Sequence, residues 1–81
     1  MMNDNTQNKE TLLLALDCWN KQAWDVSIRL LKSLVDASYL PAFPEYLWRI
    51  WSDVYYIQEF NDILEKGIRL GSKDCEYIKV W

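Results

Sequence analysis

The two prolines of this 81-residue chain, Pro41 and Pro44, lie close together and divide the sequence into two halves. The residue before a proline avoids the α-helical region of backbone space, so a helix that approaches this segment must stop before Leu40. Pro44 suits the first turn of a new helix, because its missing N–H would have no partner there. Glu45 follows it, where the helix dipole favours negative charge. The prolines therefore predict one helix end and one helix start.

Before the prolines, apolar residues recur every three or four positions, which is the spacing of one helix face. Residues 1–7 are polar and predict a frayed lead-in that contributes little. A first helix is predicted over about residues 9–21, with its apolar positions at Leu12, Leu13, Leu16 and Trp19. A second helix is predicted over about residues 23–38, with its apolar positions at Trp24, Ile28, Leu31, Leu34 and Val35. Residues 9–38 thus form the first predicted hairpin.

After the prolines, residues 44–71 carry two further apolar stripes that predict core positions. The first comprises Leu47, Ile50, Trp51 and Val54, and the second comprises Phe60, Ile63, Leu64 and Ile68. Whether residues 44–70 form one long helix or two stays open, because no glycine or proline interrupts them near Gln58. Gly71 suits a left-handed C-terminal cap, and Ser72 suits the cap of a last helix over residues 72–81. All segments belong to one small domain.

The two halves also resemble each other at an offset of 36 residues. The matched pairs are Asp17 with Asp53, Trp19 with Tyr55, Gln22 with Gln58 and Trp24 with Phe60. Periods of about 20 to 50 residues are typical of stacked helical hairpins, each of which cannot bury its apolar face alone. A true repeat predicts a break in the chain near Gln58, as there is near Gln22. The alternative is a coincidental match between amphipathic helices.

This period resembles the tetratricopeptide repeat over residues 9–71, and Leu14, Ala15 and Ser27 fit its pattern by character. In the second unit, Trp51 occupies a position where the family has a glycine, and Gly67 one where it has a large aromatic. The resemblance implies an all-α fold of about five helices in stacked antiparallel hairpins. It also implies that the first helix of each hairpin lines a groove for peptides. The corresponding positions are Leu12, Leu16, Trp19 and Asn20, and Trp48, Ser52, Tyr55 and Tyr56.

Composition argues against catalysis and against a metal or cofactor. The chain has no histidine, which removes the commonest general base and a common metal ligand. Cys18 and Cys75 are far apart in the sequence, form no C-x2-C pair and are predicted to be reduced, and no glycine-rich phosphate loop is present. The remaining enzymatic hypothesis uses Asp17 and Asp53 as a carboxylate pair. We predict that the chain is not an enzyme and that these carboxylates are structural.

Charge and hydropathy limit the partners. Nine basic and twelve acidic residues give a net charge of −3, which argues against nucleic acid because its binding relies on basic side chains. A membrane-spanning helix needs about 20 apolar residues, and no such stretch occurs. The polar, acidic start does not resemble a secretory signal. The sequence therefore predicts a cytoplasmic protein that binds neither nucleic acid nor membrane.

The sequence favours a non-catalytic protein–protein interaction module with an aromatic helical surface, because Trp, Tyr and Arg are common binding anchors. The predicted partner-binding residues are Leu12, Leu16, Trp19, Trp48, Arg49, Ser52, Tyr55 and Tyr56. The alternative is a small acidic inhibitor of a basic enzyme or toxin, such as a toxin-immunity protein or a phage-encoded blocker of a host enzyme. It would act through Asp17, Asp25, Asp36, Glu45, Asp53 and Asp62. The apolar pair Val80-Trp81 further suggests a homodimer through the C-terminal helix.

Overall fold

The structure, a computed structural model, describes residues 4–80. This range contains five α-helices, one 3₁₀ turn at Val54–Tyr56 and no β-strand. The helices are α1 Asp4–Asn20, α2 Trp24–Asp36, α3 Ala42–Ile50, α4 Ile57–Arg69 and α5 Lys73–Lys79. Helices adjacent in the chain pack against each other as antiparallel hairpins, which confirms the predicted all-α fold class.

The molecule is flat, with principal extents of 33 × 30 × 16 Å. A helix with its side chains is about 10–12 Å across, so the thin dimension holds less than two full helix diameters. Such a shape encloses little interior for its large side chains. Many aromatic and aliphatic residues must therefore remain at the surface.

The first half follows the predicted boundaries except at its start. Residues 4–7, predicted to be frayed, belong to α1, while residues 1–3 of that lead-in lie outside the described range. Helix α2 ends at Asp36, ahead of the prolines as expected. Helix α3 begins slightly earlier than predicted, at Ala42, and carries Pro44 in its first turn, where no backbone donor is needed.

Residues 44–70 form two helices, and the break between them precedes the predicted position at Gln58. Helix α3 ends at Ile50, and the Asp53 amide donates to the Ile50 carbonyl oxygen at 3.1 Å. The Asp53 side chain then accepts a hydrogen bond from the Tyr55 amide at 3.0 Å. An aspartate that caps the next turn is a recognised way to end one helix and start another without glycine or proline. The chain is thus interrupted between residues 51 and 56, before Gln58, near which a true repeat predicts the break.

The predicted caps at the end of α4 are confirmed. Gly71 has φ of +93°, a left-handed conformation that glycine adopts without steric cost. The Ser72 hydroxyl oxygen accepts a hydrogen bond from the Cys75 amide at 3.2 Å and so caps α5. Helix α5 ends at Lys79, and Trp81, which the predicted terminal helix included, lies outside the described residues.

The core lies where small residues let helices approach. Ala15 of α1 and Ser27 of α2 are fully buried, and the Ser27 hydroxyl donates to the Ala15 carbonyl oxygen at 2.7 Å. Gly67 of α4 lies against Cys75 of α5 and Phe43 of α3. A Cβ atom built on Gly67 would lie only 2.8 Å from the Phe43 ring. Around these contacts pack the buried residues Leu31, Leu34, Val35, Ala42, Tyr46, Leu47, Ile50, Ile63 and Leu64.

Four residues expected in the apolar stripes are instead exposed, namely Leu13, Trp24, Trp51 and Val54. Trp51 follows the buried Ile50 in helical conformation and so lies about 100° around the helix from it, and Val54 lies in the 3₁₀ turn beyond the helix. Leu13 lies two positions before the buried Ala15, which is about 200° around the helix. Trp24 is the first residue of α2, so the exposed residues lie on another helix face or at a helix end.

Candidate functional site

An apolar hollow of about 240 Å³ opens between α3, α4 and α5. Its walls are formed by Leu47, Trp48, Trp51, Phe60 and Ile78. The α3 residues lie one turn apart at the C-terminal end of that helix, and Phe60 lies in the first turn of α4. Leu47 forms a buried part of the wall, while Trp48 and Trp51 are 41% and 58% exposed. The hollow is therefore an indentation lined by two tryptophans and open to solvent.

Beside the hollow, the chain projects an apolar segment that we call the aromatic turn, residues 51–57. Val54 and Tyr55 are 83% and 85% exposed, and Ile57 is also exposed. The Tyr55 ring meets the Tyr56 ring edge to face, with centroids 5.3 Å apart, and Tyr56 is half-buried. This contact and the Asp53 cap hold the projecting tyrosine in a defined position. Trp51 belongs to both the hollow and the aromatic turn, and Val54 and Tyr55 follow it by three and four residues.

Arg49 and Trp19, both predicted to bind a partner, contact each other instead. The Arg49 guanidinium lies over the Trp19 ring at 4.9 Å from its centroid and donates to a Glu45 carboxylate oxygen at 2.9 Å. Trp19 also packs against Trp24, with ring centroids 6.4 Å apart. The Arg49 Nε atom is buried and has no hydrogen-bond acceptor within the described range. These residues tie α1 to α3 through a cation–π contact.

Tyr56 faces a second, polar cleft of about 300 Å³. There the buried Tyr46 hydroxyl donates to the Glu59 carboxylate, which also pairs with the Lys32 ammonium at 3.2 Å. Burial, together with the hydrogen bond to Glu59, raises the pKa of the Tyr46 phenol above its ordinary value. The three groups come from α3, α4 and α2 and join these helices. The cleft is completed by Asp25, Ile28 and Arg29.

The eight predicted partner-binding residues do not form one groove. Trp48 lines the hollow, Tyr55 and Tyr56 belong to the aromatic turn, and Ser52 lies exposed within it. Leu12 and Leu16 are half-buried on α1, and Leu12 packs against the core. They and Trp19 lie on α1, away from the hollow.

Four residues of the hollow were not predicted as site residues: Leu47, Trp51, Phe60 and Ile78. The sequence contained one indication for Trp51. It occupies a position where the resemblance implies a glycine, and a tryptophan there would keep neighbouring helices apart. Phe60 and Ile78 had none, since helical spacing alone does not distinguish a core position from the wall of an open hollow.

The carboxylates considered for catalysis make local contacts. Asp17 pairs with Lys21 at 3.0 Å on the surface of α1, and Asp53 caps the turn after α3. Among the described residues, no group of three or more His, Cys, Asp or Glu could hold a metal ion. Cys18 and Cys75 are free thiols, and burial raises the pKa of Cys75. In the part of the chain that the structure describes, no helix is long and apolar enough to cross a membrane.

Comparison with protein-family models, with curated proteins and with solved structures gave no match for this chain. The resemblance to the tetratricopeptide repeat therefore remains a prediction from the sequence.

Proposed function

We propose that this chain is a non-catalytic protein–protein interaction module that binds through the hollow and the aromatic turn. The observation that carries the proposal is the exposure of Trp48, Trp51 and Tyr55, three aromatic residues within eight positions of the chain, at 41%, 58% and 85%. Large contiguous apolar patches are uncommon on monomeric proteins and mark interaction sites. Aromatic side chains gain much buried area for few rotatable bonds, which makes them effective anchors.

The local structure supports this role. Trp48 lies on a helix, Trp51 at its C-terminal cap, and Tyr55 is held by the Asp53 cap and the Tyr56 ring. A partner would therefore meet anchors that are already positioned, and binding would cost little additional conformational entropy. The hollow provides the concave part of the surface and the aromatic turn the convex part.

The alternative, a small acidic inhibitor of a basic enzyme or toxin, receives less support. Of its six proposed carboxylates, Asp17 and Glu45 pair with basic side chains of their own helices. Asp53 caps a turn, and Asp62 accepts a hydrogen bond from Gln58 at 3.4 Å. Steering of a basic partner benefits from charges that are concentrated and uncompensated. The aromatic surface is the better-supported binding site.

A capture experiment from the lysate of the native host tests the proposal. The bait is the full chain, compared with a Trp48→Ala/Tyr55→Ala variant and with a matched Leu13→Ala/Leu14→Ala control on α1, where both leucines are exposed. Circular dichroism first establishes that all three are folded. We expect a protein that binds the wild type and the control and is lost from the aromatic variant.

The salt dependence of binding distinguishes the two candidate functions. An apolar contact should persist in high salt, whereas association steered by carboxylates should weaken as the Debye length falls to about 3 Å near 1 M. A partner retained by the aromatic variant and released by salt would support the acidic inhibitor instead. Absence of any captured protein, including a second copy of this chain, would refute the interaction module.

A further inference from the structure

We infer that the occupant of this surface is a second copy of the same chain, bound so that the aromatic turn of each copy fills the hollow of the other. This inference rests on the proposed function and names its partner. The first support is shape. A concave and a convex apolar feature share one surface through Trp51, and a two-fold axis can pair each with its complement on the other copy.

The second support is the size of the side chains involved. The hollow of about 240 Å³ corresponds to roughly eight water molecules at about 30 Å³ each. Small polar side chains would leave the hollow partly empty, whereas a tyrosine and an adjacent valine are large enough to occupy much of its volume. Tyr55 and Val54 are the most exposed large apolar residues of the aromatic turn, and they follow Trp51, which lines the hollow, by four and three residues.

The third support is area. A standard interface takes roughly 800 Å² from each partner. At about 200 Å² per aromatic side chain, the exposed fractions of Trp48, Trp51 and Tyr55 supply roughly 370 Å², close to half of that requirement. Val54 and Ile57, which are 83% and 62% exposed, add further apolar area. Two such patches are enough to form the centre of a dimer interface.

The fourth support is charge. Two copies with a net charge of −3 repel each other unless their contact surface carries little charge. Between residues 46 and 58, the charged residues are Arg49 and Asp53. Arg49 is bound to Glu45, and Asp53 to the Tyr55 amide. The amide leaves the charge of Asp53 in place, so within this segment a basic partner would find one carboxylate to pair with and an identical copy would meet one like charge.

Sedimentation velocity of the full chain over a concentration series tests the inference. We expect the wild type to sediment as a dimer at the higher concentrations and a Val54→Ser/Tyr55→Ser variant to sediment as a monomer. These side chains are exposed, so the variant should retain its helical circular dichroism spectrum. The matched control Leu13→Ser, at another exposed apolar position, should remain a dimer.

Mixing two variants tests the specific pairing. Trp48→Glu places a charge in the hollow but keeps the aromatic turn, while Val54→Ser/Tyr55→Ser keeps the hollow and loses the turn. Each variant alone should be monomeric. Their mixture should form a heterodimer with one of the two contacts, weaker than the wild-type dimer. A mixture that stays monomeric, although the wild type is a dimer, would overturn the pairing of turn and hollow.

Two further outcomes would overturn the inference. One is a wild-type chain that remains monomeric at all concentrations. The other is a dimer that Val80→Ser dissociates and Val54→Ser/Tyr55→Ser does not, which would place the interface on the terminal helix as the sequence suggested. The lysate capture decides the proposed function separately. A monomeric chain that captures another protein through Trp48 and Tyr55 refutes the dimer and leaves the interaction module standing.

Discussion

The predicted 36-residue offset pairs Ala15 with Trp51, yet Ala15 is fully buried and Trp51 is 58% exposed. At Ala15, α1 and α2 approach closely enough for the Ser27 hydroxyl to reach the Ala15 carbonyl oxygen at 2.7 Å. At Trp51, α3 has already ended, and a hollow remains beside the tryptophan. Interiors are closely packed, so the volume of one side chain decides whether two helices can meet. Two positions that the predicted period pairs thus lie at a closed crossing and at an open surface.

The largest expected effect comes from placing a large side chain at Ala15, where α1 and α2 pack closely. Ala15→Leu adds a branched side chain to a site with no free volume and should reduce the free energy of unfolding by about 3 kcal/mol. The matched change Trp51→Leu, at the open position, should alter it by less than about 1 kcal/mol. Urea unfolding followed by circular dichroism measures both. Equal effects at the two positions would remove the distinction between them.

The second prediction concerns the hydrogen bond between Tyr46 of α3 and Glu59 of α4. Tyr46→Phe removes the hydroxyl that donates to Glu59 and should reduce the free energy of unfolding at pH 7 by about 1.5–3 kcal/mol, because the acceptor is charged. Glu59 keeps its ion pair with Lys32 in this variant. Urea unfolding at neutral pH gives the difference.

The same variant tests the raised pKa of Tyr46. Its stabilising contribution is fully present below the unfolded-state pKa of about 10 and is lost as pH rises towards the higher folded-state pKa. In that range the unfolded chain releases the phenol proton while the folded chain retains it. Wild-type stability should therefore fall more steeply than that of Tyr46→Phe, by up to about 1.4 kcal/mol per pH unit. Parallel curves between pH 9 and 11 would contradict the assignment.

A third prediction uses the close approach of α4 and α5. In Gly67→Ala the new Cβ would overlap the Cys75 sulfur and lie 2.8 Å from the Phe43 ring. Alanine favours a helix over glycine by about 1 kcal/mol, but the overlap costs about 1–3 kcal/mol, so we expect a net loss of up to about 2 kcal/mol. Adding Cys75→Ala should recover part of it.

Gly71→Ala is the control for Gly67→Ala. A Cβ at Gly71 meets no described heavy atom within 4 Å, yet φ is +93°. Its cost of about 1 kcal/mol is therefore backbone strain and should not respond to Cys75→Ala. If Cys75→Ala rescued both variants equally, side-chain overlap could not be the cause at Gly67.

The smallest expected effect concerns the hydrogen bond in the closed crossing. Ser27→Ala should reduce the free energy of unfolding by about 1 kcal/mol, because it removes the buried bond to the Ala15 carbonyl. Ser33→Ala, on the same helix, removes an exposed bond of the same 2.7 Å length to Leu30 and should change it by less than about 0.5 kcal/mol. Thermal unfolding of the pair provides the comparison.

The predictable parts of the fold are those marked by residues with special backbone chemistry. Pro41, Gly71 and Ser72 each impose a local constraint, and the boundaries that they predict are confirmed. The break after Ile50 is accompanied instead by a hydrogen bond from the Tyr55 amide to the Asp53 side chain. Most aspartates in a sequence do not cap a turn, so Asp53 alone does not predict a break. The predicted break at Gln58 was therefore displaced.

The candidate site was less predictable than the fold. Trp48 and Tyr55 were identified because aromatic residues are common anchors, and both are exposed. The hollow itself arises from the packing of α5 on α4, which brings Ile78 close to Phe60 from a distant part of the chain. Arg49 was expected at the binding surface, but the Trp19 ring, 30 residues earlier in the sequence, holds it. Contacts at such separations are not encoded in helical periodicity.

The packing of Cys75 on Gly67 has a consequence for solution chemistry. Thiol reagents attack the thiolate, and Cys75 is fully buried with a raised pKa, so α5 must leave α4 before the reagent can reach it. Cys18, half-buried on α1, has no such requirement. The rate at which Cys75 is labelled under native conditions therefore records how often the terminal helix detaches. Cys75 therefore reports on local opening of the terminal helix, and no cysteine has to be introduced for this purpose.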